Sequence, residues 1–171
     1  MATNGDQSYT DQKGRKRWRG NDKIADQIKG MGDYLIICGY DESHAKQYGR
    51  VAYTISRFPE SVIQLYQEGR LNKISGVGAT IAGIIGEFLR TGTCAKMEEW
   101  VHRVPKTVLE LTAIPGLGAK TIRVLSRKYK IRSLKDLKKA LEENKLQGIK
   151  GIGEKTLDTM RRYVSDHESR D

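Results

Sequence analysis

The chain has 171 residues, of which 37% are hydrophobic and 30% charged, with a formal net charge of +10 and a pI of about 9.6. This length fits one domain or two small ones. No apolar run is long enough to span a membrane and no signal-peptide core opens the chain, so we expect an intracellular protein and leave nucleoid, nucleus and cytoplasm open. The charge balance favours a polyanionic partner, most often nucleic acid.

The first half of the chain reads as a tail followed by short helices. Residues 1–20 are polar and lack periodicity, which predicts a disordered basic tail. The alternative is an arm along phosphates, with Trp18 stacked on a base. The first predicted helix begins at Asn21, and the apolar segment Tyr34–Cys38 is either a buried continuation of this helix or the turn after it. Further helices are predicted over Asp41–Phe58, Glu60–Gln67, Ala79–Leu89 and Ala95–Val101.

The second half continues the same all-α pattern. Pro105 marks a junction, so we expect one helical domain over 21–104 and a second over 105–164, before a disordered tail over 165–171. The predicted helices of the second domain are Thr107–Ala113, Ala119–Tyr129, one capped by Ser133, and Glu154 to about Val164. The fold class is therefore all-α, built as two small helical subdomains.

Cysteine and histidine give no sign of a metal site. Cys38 and Cys94 have neither metal-ligand spacing nor a disulfide framework, and their apolar neighbours predict buried free thiols. The three histidines are scattered along the chain. A zinc site is therefore not expected.

One motif occurs three times: an isoleucine, a spacer, a glycine, an aliphatic residue and a second glycine before a helical pattern. The copies are Ile74–Gly78, Ile114–Gly118 and Ile149–Gly153. The glycines permit a tight turn, and the turn leaves backbone N–H groups at a helix N-terminus, where an anion binds. A dinucleotide-binding loop would need a preceding strand and a third glycine, which are not visible.

From about Asn21 to Val164 the chain resembles the N-terminal region of family X DNA polymerases, the family of DNA polymerase beta. The resemblance rests on Tyr48–Ala52 with Arg57–Pro59, Gly69–Gly78, Glu87–Gly92, Leu109–Lys120 and Ser133–Leu137. It implies a helical domain that binds the 5′-phosphate side of a DNA gap, followed by a DNA-binding subdomain. Both would contain helix-hairpin-helix motifs. The paired aspartates of a polymerase palm are absent from this sequence, so polymerase activity is not expected.

The resemblance also implies a lyase activity in the first domain, and here the chain departs from the family. The family has Ile-Ala-Glu-Lys-Ile where this chain has Ile81–Ile85, so Ile84 stands at the position of the Schiff-base lysine. Gly83 replaces a supporting acid, and Thr80 a nearby basic residue. No catalytic residue is therefore predicted, and the interpretation leans against an enzyme.

The main hypothesis is a DNA-binding module that holds backbone phosphates without reading sequence, in repair or replication at gaps or 5′-phosphate ends. The predicted hairpin contacts are Gly76, Gly78, Ala79, Gly116, Gly118, Ala119, Lys120, Gly151, Gly153, Glu154 and Lys155. Supporting cations are Lys73, Arg123, Lys128, Lys150, Arg161 and Arg162. The resemblance adds Tyr48, Lys96 and His44 on the phosphate side, and a monovalent cation, Na⁺ or K⁺, on the carbonyls of Thr112, Ile114 and Leu117.

Two alternatives stay open. One is a 5′-deoxyribose-phosphate lyase that uses a displaced lysine, Lys73 or Lys46. The other is a scaffold for repair or replication proteins. We expect that no cofactor is required and that the partner is gapped, nicked or duplex DNA. We also expect a monomer without membrane association. The polar ends are more typical of a complete small protein than of a polymerase fragment, although the sequence does not decide between them.

Overall fold

The computed structural model describes residues 7–168 and is built almost entirely from helices, with one two-stranded sheet. The all-α prediction is confirmed. No helix in the described range is both long and apolar enough to cross a membrane. The α-helices are α1 Arg19–Cys38, α2 Glu42–Ser56, α3 Val62–Gln67, α4 Ala79–Thr91, α5 Ala95–Glu98, α6 Ala119–Lys128, α7 Leu134–Glu142 and α8 Glu154–Glu168. Two 3₁₀ helices cover Leu71–Lys73 and Lys106–Ala113, and the strands are β1 Ser8–Thr10 and β2 Lys16–Trp18.

The chain divides into two compact units, and α1 contributes to both. Unit 1 runs to Gly32 and resumes over Glu42–Glu98, whereas unit 2 contains Asp33–Asp41 and everything from Glu99 onward. The division near residue 99 differs slightly from the junction predicted at Pro105. The larger difference is that the end of α1 clusters with the second unit.

In unit 1, Asn21 holds the segment before α3 against α1. Its amide Nδ2 donates to the carbonyl of Glu60 at 3.0 Å and to that of Phe58 at 3.3 Å. Its Oδ1 accepts the backbone N–H of Val62 at 2.8 Å. Asn21 is completely buried, and each of these bonds therefore satisfies a polar group that has little access to water.

In unit 2, the last turns of α1 provide part of the core. Tyr34, Leu35 and Ile37 are completely buried, and the hydroxyl of Tyr34 donates to the carbonyl of Val104. The Tyr34–Cys38 segment is therefore a buried continuation of the helix. At its end, the guanidinium of Arg127 donates to the carbonyl of Cys38 at 3.3 Å, which places a cation at a helix C-terminus.

Both cysteines are buried free thiols, as predicted. The sulfur of Cys94 lies 3.4 Å from that of Met31, within unit 1. Burial raises the pKa of the Cys38 thiol, so this side chain stays in its neutral form. In the described residues, no group of three or more His, Cys, Asp or Glu side chains could hold a metal ion.

The structure differs from the sequence prediction at both ends. Instead of a disordered tail, Ser8–Thr10 and Lys16–Trp18 pair as an antiparallel hairpin. Its turn is stabilised by the carboxylate of Asp11, which accepts the backbone N–H groups of Lys13 at 2.9 Å and Arg15 at 3.0 Å. At the other end, α8 continues to Glu168. The predictions for residues 1–6 and 169–171 lie outside the described residues.

Candidate nucleic-acid interface

The three glycine motifs fold into the same turn. In each motif the first glycine has a left-handed backbone, with φ of +85° at Gly76, +79° at Gly116 and +89° at Gly151. A side chain at such an angle is strained, so the sequence requires glycine there. The aliphatic residue that follows is buried in every copy: Val77, Leu117 and Ile152.

One backbone hydrogen bond closes each turn. The N–H of the aliphatic residue donates to the carbonyl of the isoleucine three positions before it, and that isoleucine is itself buried. The three bonds are Val77 to Ile74 at 3.0 Å, Leu117 to Ile114 at 3.1 Å, and Ile152 to Ile149 at 2.9 Å. Two buried apolar anchors and one short bond therefore hold each hairpin in a fixed conformation.

The second glycine of each motif directs a helix N-terminus toward solvent. Gly78 and Gly118 are the N-cap residues of α4 and α6, and both have extended backbones and exposed positions. Gly153, also exposed, comes directly before α8. The first N–H groups of an α-helix have no carbonyl of a preceding turn to bond. Together with the helix dipole, they form a site suited to an oxyanion such as a phosphate.

Basic side chains surround the second and third hairpins. Lys120 and Lys155 follow the second glycine of their motifs, and both are exposed. Lys150 lies exposed within the third turn itself. Lysine side chains at these positions add Coulombic attraction for a phosphate to the N–H donors.

The other predicted cations differ in how they are engaged. Lys128 and Arg162 are exposed and Arg123 is half-buried. Arg161 is exposed but lies 2.9 Å from the carboxylate of Asp158. Lys73, beside the first hairpin, is 3.1 Å from a carboxylate oxygen of Glu60. Such exposed ion pairs are weak, so a phosphate could replace the carboxylate.

The phosphate-side residues implied by the resemblance lie in different environments. Tyr48 is only 8% exposed and belongs to the core of unit 1, which makes it a packing residue. His44 is exposed on α2, and Lys96 is half-buried in the short α5. A DNA contact by any of the three stays a prediction.

The position of the family's lyase lysine lies in the hydrophobic core. Ile84 is 6% exposed on α4, and its aliphatic side chain cannot form an imine. The two lysines considered as replacements are engaged in ion pairs, Lys73 with Glu60 and Lys46 with Glu42 at 4.0 Å.

A monovalent cation at the second hairpin stays a prediction, for which the carbonyl of Thr112 is the relevant feature. Thr112 lies near the end of a 3₁₀ helix, where its carbonyl would ordinarily accept the N–H three residues on. That residue is Pro115, which has no N–H. Carbonyl oxygens are hard ligands that suit K⁺ or Na⁺, and the carbonyls of Ile114 and Leu117 belong to the same turn.

Unit 1 also carries a basic and aromatic surface that the sequence predicted only in part. Tyr53 is the most exposed large hydrophobic side chain of the described chain, at 61%, and the guanidinium of Arg57 stacks on its ring at 3.7 Å. The folded N-terminal hairpin contacts the adjacent residue Ser56. The sequence predicts the basic run Lys13–Arg19 with Trp18 as an alternative phosphate contact, whereas no local pattern predicts the pairing of Tyr53 with Arg57.

Comparison with known proteins agrees with the hairpin geometry. Residues 19–94 match a family described as a helix-hairpin-helix domain, and residues 108–163 match a SAM-like helix-hairpin-helix tandem. The chain is also 29% identical over 111 residues to DNA polymerase/3′-5′ exonuclease PolX of Bacillus subtilis (strain 168). That similarity covers 61% of this chain and 20% of the relative. The resemblance to the N-terminal helix-hairpin-helix region of family X polymerases is therefore confirmed, and it supports DNA binding in a polymerase-related context.

Proposed function

We propose, from this pair of helix-hairpin-helix segments, that the chain binds DNA by gripping backbone phosphates and acts in DNA repair or replication at gaps or 5′-phosphate ends. The observation that carries the proposal is the repetition of one turn at three places, each with a buried anchor pair and an exposed helix N-terminus. Phosphate contacts fix position without reading bases, so binding is independent of sequence.

The charge of the protein supports a polyanionic partner of this kind. Lysines and arginines number 31 against 21 aspartates and glutamates, and exposed lysines lie at the second and third hairpins. Each phosphate that a cation neutralises releases counterions, so the affinity falls steeply as the salt concentration rises. In this proposal the protein acts as a monomer. It acts inside the cell, where DNA is found.

The proposal includes a monovalent cation at the second hairpin. The carbonyls of Thr112, Ile114 and Leu117 would hold it, and it would supply a positive charge facing a DNA phosphate. Support comes from Pro115, which cannot donate to the carbonyl of Thr112. Affinity for duplex DNA should fall when K⁺ is replaced by tetramethylammonium at constant ionic strength, because that cation is too large for the turn. Equal affinity in both salts would remove the cation from the proposal.

The decisive experiment compares DNA forms by fluorescence anisotropy. Three DNAs are compared: a duplex with a one-nucleotide gap and a 5′-phosphate, the same gapped duplex with a 5′-hydroxyl, and an intact duplex. Each is titrated at about 50 and 200 mM salt. We expect salt-sensitive binding that is tightest for the phosphorylated gap. Equal affinity for gapped and intact duplex would reduce the function to general phosphate binding, and no binding to any duplex would refute it.

A further inference from the structure

We propose that unit 1 has a second nucleic-acid surface, made of residues outside the three glycine hairpins, that binds single-stranded DNA. It consists of the exposed cations of the β1–β2 hairpin and of the pair formed by Tyr53 on α2 and Arg57 just after its end, and we name it the strand surface. Its hairpin part precedes residue 19, where the match to the helix-hairpin-helix domain begins. The inference therefore does not depend on which phosphates the glycine hairpins hold.

The β1–β2 hairpin is fixed to the end of α2. The guanidinium of Arg17, which is buried, donates to the carbonyl of Ser56 at 3.1 Å. The indole N–H of Trp18 donates to the carbonyl of Pro59 at 2.9 Å. These bonds attach β2 to the residues on both sides of Arg57 along the chain, so the hairpin lies beside the segment that carries the Tyr53–Arg57 pair.

The hairpin presents its remaining cations to solvent. Because side chains alternate along a strand, Lys16 and Trp18 lie on the face opposite to the buried Arg17. Lys13, Arg15 and Lys16 are all exposed. The ammonium of Lys16 lies 4.5 Å from the centre of the Trp18 ring, which holds that charge at the surface next to an aromatic side chain.

The acidic side chains of this segment do not cancel its charge. Residues 7–23 contain six lysines and arginines but only two aspartates. The carboxylate of Asp11 pairs with Arg15 and Arg17 at 2.9 and 3.0 Å, and that of Asp22 accepts the hydroxyl of Tyr9 at 2.6 Å. Both carboxylates are thus directed toward groups of the hairpin itself. The surface consequently presents a net positive charge to a phosphate backbone.

The Tyr53–Arg57 pair indicates that the strand is single. An exposed, flat phenol ring is a platform on which an unpaired base can stack, whereas the bases of a duplex are already stacked on each other. The guanidinium of Arg57 can stack on the same base or bind the adjacent phosphate. The excess of lysines and arginines over aspartates in the hairpin segment favours a polyanion over a protein as the partner.

The test measures binding of a fluorescently labelled oligo-deoxythymidine of about 15 nucleotides, a length within the range that one binding unit covers. Tyr53→Ala should weaken binding at least fivefold, while Tyr53→Phe should bind as the wild type because it keeps the ring. The double variant K13Q/K16Q should reduce the slope of log affinity against log salt by about 1.4, the value for two lost contacts to a single strand.

Matched controls are available in unit 2. Tyr129 is the other exposed large hydrophobic residue, at 41%, and Tyr129→Ala should change the oligonucleotide affinity less than twofold. The pair Lys135→Gln and Lys139→Gln removes two exposed charges from α7 and should leave the salt slope largely unchanged. Thermal unfolding of every variant checks that the fold is intact.

Three results would overturn the inference: strand-surface variants that bind the oligonucleotide like the wild type, controls that weaken binding equally, or a wild type that binds gapped duplex but no single strand. The last result would leave the proposed function intact. Failure of the proposed function looks different, since duplex binding would then be absent while the strand surface still bound the oligonucleotide. If Tyr53→Ala does not fold, Tyr53→Leu, which keeps apolar bulk without a ring, replaces it.

Discussion

Replacing Ala119 with proline removes one proposed phosphate donor and leaves the fold unchanged. Ala119 is the first residue of α6, where a proline is tolerated because its fixed φ suits a helix and its missing N–H has no intrahelical partner. A proline also requires an extended residue before it. Gly118 already has φ −81° and ψ 159°. The variant therefore differs from the wild type mainly by one amide hydrogen.

The size of the effect follows from the chemistry of that hydrogen. A hydrogen bond to a charged acceptor contributes about 1.5–3 kcal/mol, and 1.4 kcal/mol corresponds to a factor of ten in affinity. We expect the dissociation constant of Ala119→Pro for the gapped duplex to rise about tenfold. The slope of log affinity against log salt should not change, because counterion release depends on lysine and arginine contacts and no cation is removed.

The assay is a fluorescence anisotropy titration of gapped duplex at several salt concentrations, with urea unfolding to compare stabilities. Ala119→Gly is the control, since it alters the same side chain but keeps the N–H. It should bind within about twofold of the wild type. Wild-type affinity in a correctly folded Ala119→Pro protein would refute the assignment of this N–H to a phosphate, and an equal loss in Ala119→Gly would attribute the effect to the helix instead.

Three further results are expected. Lys155→Gln should reduce the salt slope for duplex DNA by about 0.9, the value for one lost phosphate contact, and an unchanged slope would place this lysine outside the interface. Asn21→Ala should lower the free energy of unfolding by about 2–3 kcal/mol in urea titrations, because it leaves the N–H of Val62 buried without its acceptor; a change below about 0.5 kcal/mol would contradict this. Borohydride treatment with a 5′-abasic-end substrate should give no covalent adduct, because Ile84 occupies the nucleophile position, and a trapped adduct would restore the lyase alternative.

The hairpins could be predicted from sequence because their requirements are local. A left-handed backbone requires glycine at Gly76, Gly116 and Gly151. The apolar anchors lie at the same sequence spacing from this glycine in every copy. The helical nature of Tyr34–Cys38 was harder to recognise, since a segment buried on every side has no hydrophobic period. The structure decides that case through contacts made far along the chain, such as Tyr34 with Val104.

Other features depended on tertiary contacts that no local pattern reveals. The strands Ser8–Thr10 and Lys16–Trp18 are too short to show alternation, and they are held by bonds to Ser56 and Pro59, some forty residues away. The exposure of Tyr53 likewise depends on which face of α2 is buried. The local pattern therefore predicts the three glycine turns, whereas the folded N-terminal hairpin follows from contacts far along the chain.

The division of α1 between the two units has a consequence for synthesis of the chain. Residues Asp33–Asp41 leave the ribosome about sixty residues before Glu99, the start of the remainder of unit 2. At a synthesis rate of about 5–20 residues per second, roughly 3–12 seconds pass between the synthesis of these side chains and that of Val104 and its apolar neighbours, against which they are buried in the folded protein. A contiguous fragment beginning at residue 99 would lack this part of its core permanently. A stretch that carries the whole core of the second unit therefore has to begin at or before Asp33.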